Sequence, residues 1–285
     1  MAGTKETWTV LKVLQWTADY LKDKGVDNGR LDAELMLAEV LKLDRVGLYL
    51  NYDRPLDAVE LSAYRQMVGR RSRREPLQYI LGRTEFWSLP FEVTPAVLIP
   101  RPDTEVMVEE ALARVPAEGR ILDVGTGSGA IAVALAHELP KASLVAIDTS
   151  AEALAVAANN AERNGLAGRI EFQQIDMVRL PDGPFDLIVA NPPYIPTDDL
   201  AGLMPEVRAY EPSSALDGGE DGLDCYRLLA GQAGSRLRPG GWLLVEAGIG
   251  QVPMIRELFE KSGLKEVFSR DDYGGIPRVV GGRRI

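Results

Sequence analysis

Apolar residues recur at helical spacing in the first third of the chain. Residues 7–24 place Val10, Leu11, Leu14, Thr17, Ala18 and Leu21 on one face, the pattern of an amphipathic helix. Gly25 suits its end. Asn28 is placed to cap a second helix through Leu31, Leu35, Ala38 and Leu41. A third is expected from Leu56 to about Arg74, with Leu61, Tyr64 and Val68 on one face. The first 80 or so residues therefore read as a small helical domain. Residues 85–99 mix aromatic and β-favouring residues around Pro90, which fits a hairpin linker. Strand and helix patterns then alternate. Ile121–Val124, Ser143–Asp148, a strand opening with Ile170–Phe172, Phe185–Ala190 and Gly241–Glu246 are the apolar strands. Alternation of this kind predicts an α/β fold with a mostly parallel sheet covered on both faces. Two last strands, near 266–270 and 278–281, are too close for a helical crossover, so a hairpin and an antiparallel last strand are expected. The expected division is 1–84, 85–97 and 98–285.

Composition adds limits. The chain has 285 residues, 46% hydrophobic and 26% charged, ordinary for a globular protein of two domains. No apolar run approaches the roughly 18 residues of a membrane span. Met1–Glu6 lacks the apolar core of a signal peptide, so a cytoplasmic location is expected. Cys225 is the only cysteine, which excludes an internal disulfide, and it reads as a packing residue. Net charge is −10; residues 1–90 hold 14 of the 32 basic and 13 of the 42 acidic side chains, leaving 18 against 29 in the remainder. An acidic remainder is a poor match for a polyanionic ligand. His137 is the only histidine, so a multi-histidine metal site and a histidine-based triad are excluded, and a surface place is expected for it.

Candidate chemistry lies at two strand ends. The first strand runs into Gly125-Thr126-Gly127-Ser128-Gly129, and a helix is expected to start at about Gly129 to Ile131. Glycines there permit a tight turn and close approach of a ligand to the backbone. Asp148 ends the next strand, where a carboxylate can accept both hydroxyls of a ribose. A dinucleotide fingerprint would place the third glycine one residue later, and no phosphate-binding lysine follows. The fourth strand ends in Asn191-Pro192-Pro193-Tyr194. Strands one and four are expected to be neighbours, with both loops facing one crevice at the carboxyl ends. An amide nitrogen is a weak nucleophile because its lone pair is delocalised. The Asn191 side-chain oxygen and the Pro192 carbonyl can each accept one N–H and fix that nitrogen, the prolines hold the carbonyl, and Tyr194 offers a π-face to a planar substrate and a nascent cation. No general base is nominated, because a nitrogen that has formed a new bond is acidic enough to lose its proton to water.

The loop at 125–129 with Asp148 resembles the class I methyltransferases, which implies S-adenosylmethionine as cofactor, S-adenosylhomocysteine as product and a Rossmann-like sheet. By that resemblance Gly125, Thr126, Gly127, Ser128 and Gly129 lie under the methionine part and Asp148 clamps the ribose. Asp176 falls near the adenine, and Met177 stands where relatives often carry an aromatic ring. The Asn-Pro-Pro-Tyr string alone is shared by enzymes acting on adenine, guanine and glutamine nitrogens. Longer strings narrow the choice: Arg30–Leu35, Glu75–Gly82, Leu98–Glu105, Glu211-Pro212, Ala215–Gly219 and Asp221–Leu223. Together they resemble the release factor glutamine methyltransferases (PrmC/HemK) along nearly the whole chain. That resemblance implies methylation of the glutamine of a Gly-Gly-Gln loop in class 1 release factors, with the helical domain holding the factor. A monomer with no direct nucleic-acid contact is expected. Ribosomal-protein glutamine methyltransferases and nucleic-acid amino-methyltransferases are the alternatives. Asp103 stands where relatives commonly carry Glu, near the methionine carboxylate or a hinge. Arg65, Arg70, Arg71, Arg73 and Arg74 read as a solvated helix end, with a contact to the release factor or RNA as the sharper reading. Phe86, Trp87 and Phe91 read as linker core.

Overall fold

The computed structural model describes residues 7–285; the signal-peptide reading of Met1–Glu6 lies outside the described residues. Two compact units form. Residues 1–82 and 205–210 make one, and 83–204 with 211–285 make the other.

The first unit is helical: α1 (Val10–Asp23), α2 (Gly29–Leu41), α3 (Arg45–Leu50), α4 (Ala58–Arg71) and α5 (Leu77–Leu81). Thr9 caps α1, its side chain accepting from the Lys12 N–H, and Gly25 follows the helix end at φ 76°. Asn28 occupies the N-cap of α2 without a side-chain cap bond, contrary to expectation. The buried face of α2 also differs. Leu31 is exposed, while Asp32, Ala33, Glu34, Met36 and Leu37 are buried. The two acids can be buried because arginines neutralise them: Arg71 reaches Asp32 at 2.6 Å, and Arg30 and Arg45 reach Glu34 at 2.7 and 2.8 Å. α4 begins at Ala58 because Asp57 and Glu60 form a capping box. Leu14, Leu21, Met36 and Leu37 are fully buried in this core, each worth roughly 1.5–3 kcal/mol on burial.

The second unit opens with a hairpin, β1 (Arg83–Phe86) and β2 (Leu89–Glu92), followed by α6 (Glu105–Leu112). Then come β3 (Arg120–Val124), α7 (Ala130–Glu138), β4 (Ser143–Asp148), α8 (Ala151–Arg163), β5 (Ile170–Gln174) and β6 (Phe185–Ala190). The short helix α9 (Pro205–Tyr210) belongs to the helical unit. α10 (Asp224–Arg236), β7 (Leu237–Glu246), α11 (Val252–Lys261), β8 (Lys265–Asp271) and β9 (Pro277–Arg283) complete the chain. Seven strands form one sheet in the order β5-β4-β3-β6-β7-β9-β8, parallel except for β9, which runs antiparallel to both neighbours. β6 is buried along its whole length, as a central strand covered on both faces must be. Phe86 and Phe91 meet edge to face, centroids 6.1 Å apart, inside the core on one side of the sheet. His137 is exposed and Cys225 is buried.

Candidate active site

β3 and β6 are paired in parallel, so the loops at their carboxyl ends lie side by side. The loop after β3 is pinned to β4: the N–H groups of Gly125 and Thr126 both donate to the Ile147 carbonyl at 2.9 Å. Gly129 has φ 80°, and a Cβ there would stand 3.0 Å from Ala157 on α8. At Gly125 and Gly127 an added Cβ would meet nothing within 4 Å, so this side of the loop is an open cradle. Asp148 ties the cradle together. One oxygen accepts from Gly127 N–H at 2.9 Å and the other from Ser150 N–H at 3.0 Å. The Thr126 hydroxyl turns away and donates to Asp123 at 2.6 Å. Complete burial pushes the Asp123 carboxyl up to about 7, against the Thr126 bond that favours its ionised form.

The loop after β6 is held from several sides. Asn191 Nδ2 donates to Thr104 Oγ1 at 3.3 Å, and the Thr104 hydroxyl donates to Glu246 Oε2 at 2.5 Å. Tyr194 OH reaches the other Glu246 oxygen at 3.5 Å. Gln251 Nε2 donates to the Tyr194 carbonyl at 2.8 Å. Gly218 packs so tightly that a Cβ would lie 2.8 Å from Tyr194 Cα. Burial pushes the Tyr194 phenol up to about 12, helped by the charge of Glu246. Burial also raises the Glu246 and Glu211 carboxyls.

A single cleft joins the two loops. Gly125, Thr126, Gly127, Ser128, Asp148, Met177, Asn191 and Pro193 line it, together with Phe86, Ile147 and Arg101. Gly129, Asp176, Pro192 and Tyr194 are not on its wall. Gly129 is spent on the helix start. Asp176 Oδ1 instead accepts from Val178 N–H at 2.9 Å, and the residue lines a separate open cavity with Arg179 and Asp182. Pro192 is buried and Tyr194 packs against the core beside it. Arg101 donates through Nη2 to both oxygens of Glu211 at 2.8 Å. Asp103 stands 3.5 Å from Arg278, away from the cleft lining.

The PrmC N-terminal domain model matches residues 12–82, and the methyltransferase small domain model matches 102–202. The release factor glutamine methyltransferase of Geobacter sulfurreducens is 56% identical over 283 residues, covering 99% of each chain. That of Bradyrhizobium diazoefficiens is 45% identical over 273 residues, 93% of this chain and 91% of its own. The chain belongs to the release factor glutamine methyltransferases. Among solved structures, a methyltransferase from Pyrococcus furiosus superposes with a TM-score of 0.53 at 21% identity, covering 69% of this chain and 89% of its own, and shares the fold.

Several family strings now have physical roles. Arg30–Leu35 carries the buried acids of α2. The arginine run is not one solvated face: Arg65 and Arg73 are exposed, but Arg71 is buried and Arg70 pairs with Glu75 at 2.6 Å. Arg71 and Arg74 both hold Glu206 of α9, at 3.2 and 2.6 Å. Thr104 and Glu246 were missed as site residues by sequence reasoning. The available signal at Glu246 was an acid ending an apolar strand, the same signal that marked Asp148.

Proposed function

We propose that this methyltransferase moves a methyl group from S-adenosylmethionine to the side-chain amide nitrogen of the Gly-Gly-Gln glutamine of class 1 release factors. The observation that carries the reading is 56% identity across 99% of both chains with a release factor glutamine methyltransferase. The cleft fits the cofactor: Gly125 and Gly127 leave a cradle open to a ligand, Asp148 stands at a strand end for the ribose hydroxyls, and Met177 offers a thioether to the adenine. Thr126 and Ser128 contribute backbone to that cradle, and Gly129 its geometry. Asp176 retains the adenine-side assignment only by resemblance.

S-adenosylmethionine supplies an electrophilic methyl group and leaves as S-adenosylhomocysteine. The protein's part is to orient the nitrogen. With its Nδ2 engaged by Thr104, Asn191 has its Oδ1 uncommitted among the described residues and accepts one substrate N–H. The Pro192 carbonyl accepts the other. Two acceptors favour the positive charge that develops as the N–C bond forms. Pro193, on the cleft wall, flanks the planar amide, and Tyr194 keeps the same role only by resemblance. The nitrogen then gives its proton to water, so no side-chain base is needed.

The same reading assigns residues 1–84 to holding the release factor and 85–97 to the link. The acidic balance of the chain beyond residue 90 favours a protein partner over nucleic acid, and the same reading takes the protein to act as a monomer in the cytoplasm. No helix among the described residues is long and apolar enough to cross a membrane. The test is incubation with S-adenosylmethionine and an unmethylated release factor, followed by peptide mass spectrometry. One added methyl on the Gly-Gly-Gln glutamine is expected. Methyl transfer to a ribosomal protein or to nucleic acid instead would replace this substrate.

A further inference from the structure

We propose that Thr104 and Glu246 form a positioning relay that fixes which way the Asn191 amide points. The inference rests on the reading that Asn191 Oδ1 accepts a substrate N–H.

The two ends of an asparagine amide fill nearly the same space, so packing alone does not choose between them. Hydrogen-bond partners do. A threonine hydroxyl has one proton. Thr104 commits it to Glu246 Oε2 at 2.5 Å, the short distance of a charge-assisted bond. What Thr104 then presents to Asn191 is a lone pair. A lone pair attracts Nδ2, which lies 3.3 Å away, and repels Oδ1. The oxygen is turned the opposite way. Were the Thr104 proton free, the hydroxyl could donate to Oδ1, and the amide could present N–H groups to a substrate that itself has only N–H groups to offer.

Glu246 is a costly residue to keep. It is 3% exposed at the carboxyl end of β7, where a carboxylate must be satisfied by hydrogen bonds or a counter-charge. The nearby cation Arg278 makes its ion pairs with Asp272 at 3.1 Å and Asp103 at 3.5 Å instead. The partners of Glu246 are Thr104 and the Tyr194 hydroxyl. One buried carboxylate thus addresses both ends of the Asn-Pro-Pro-Tyr loop, directly at Tyr194 and through Thr104 at Asn191. Neither Thr104 nor Glu246 touches the substrate nitrogen in this arrangement, so both are positioning residues.

The decisive measurement is single-turnover methyl transfer to an unmethylated release factor by the full chain, with cofactor dissociation constants alongside. Thr104→Val keeps the shape and removes the hydroxyl. Its rate should fall about 10- to 100-fold, the scale of a misplaced reacting group, with cofactor affinity unchanged and the unfolding midpoint lowered, because the buried Glu246 loses its shorter hydrogen bond. Thr104→Ser should restore most of the rate. Glu246→Gln replaces one of the two acceptor oxygens with an N–H donor, so either Thr104 or Tyr194 loses the acceptor for its proton; where that is Thr104, its freed proton no longer fixes the Asn191 amide, and the variant should lose rate as well. In an Asn191→Ala background, Thr104→Val should cost nothing further, because its effect passes through Asn191. A near-normal rate for Thr104→Val, or a full additional loss in the double variant, would overturn the relay while leaving the Asn191 reading in place. A normal rate for Asn191→Ala alone would overturn that reading and the relay with it.

Discussion

The Gln251 side-chain amide donates to the Tyr194 carbonyl at 2.8 Å, while its oxygen accepts the Gly248 N–H at 3.0 Å. The start of α11 therefore anchors the loop that follows β6, and the same Nε2 also reaches the Gly222 carbonyl at 3.3 Å. The Asn-Pro-Pro-Tyr loop is held by buried polar contacts outside the loop itself.

That arrangement makes Gly222 sensitive. It has φ 74°, and a Cβ would lie 2.4 Å from the Tyr194 carbonyl oxygen and 2.6 Å from Gln251 Nε2. Gly222→Ala should lose about 1–3 kcal/mol from backbone strain alone, and methyl transfer should fall with it. Gly234, on the exposed face of α10, is the control. A Cβ there meets nothing within 4 Å, so Gly234→Ala should gain about 0.5–1 kcal/mol. Urea unfolding midpoints for the two variants should move in opposite directions; a shared direction would contradict the packing described.

Asp148→Ala should raise the cofactor dissociation constant by roughly 10- to 100-fold, the value of one or two hydrogen bonds to a charged group. Part of the loss arises in the protein itself, since Asp148 holds the Gly127 and Ser150 N–H groups. Asn191→Ala should behave differently, leaving cofactor affinity intact while the rate drops about 10²- to 10³-fold. Calorimetric titration with S-adenosylmethionine separates them. Equal affinities in both variants would remove Asp148 from the cofactor site.

Asp123 sets a pH dependence of stability. Burial pushes its carboxyl up to about 7, above the ordinary value of 3.8. The folded chain therefore keeps this proton over a range where the unfolded chain has released it. The associated stability is present in full below about pH 4 and is lost as pH rises to about 7, on the order of 4 kcal/mol in total. Asp123→Asn cannot ionise. The stability of the natural chain relative to this variant should fall from pH 4.5 to 7.5. A difference that is flat, or rises, across that interval would mean that Asp123 is ionised in the fold.

The sheet was legible because its strands are short apolar runs bounded by glycines and acids, and both loops of the cleft follow from strand ends. Gly125–Gly129, Asp148 and Asn191 carry local signals of that kind. Thr104 and Glu246 do not carry them to the same degree. They lie 142 residues apart in the chain, and their meeting depends on how β7 and the segment before α6 pack. The face of α2 was misread for a related reason. Asp32 and Glu34 look like solvent-facing acids until Arg71, 39 residues on, and Arg45, 11 residues on, are seen to neutralise them. α3, α5 and α9 were missed because elements of five or six residues contain too few turns to show a period.

Arg71 is where such long-range pairing is most exposed to test. Its Nε donates to Asp32 at 2.6 Å, and its Nη1 and Nη2 donate to Glu206 at 3.2 Å. Arg74 adds bonds of 2.6 and 2.7 Å to the same Glu206 carboxylate. Burial works against ionisation of Glu206, but the bonds from Arg74 and Arg71 outweigh it and hold the carboxyl below its usual range. Arg71→Ala would strand Asp32 as a buried, unpaired charge, so a loss of roughly 3–5 kcal/mol is expected. Arg71→Lys should recover little, because a single ammonium cannot serve two carboxylates through a planar fork. Glu206→Gln should cost less overall, since Asp32 keeps its partner, yet it should loosen α9. Limited proteolysis between residues 198 and 212 reads that second effect separately from urea unfolding. Faster cleavage there in Glu206→Gln, with only a small shift of the unfolding midpoint, would show that the two arginines pin this segment to the helical unit. Unchanged cleavage would mean that α9 is held by its backbone and by the Tyr210 hydroxyl, which donates to the Arg73 carbonyl at 2.7 Å.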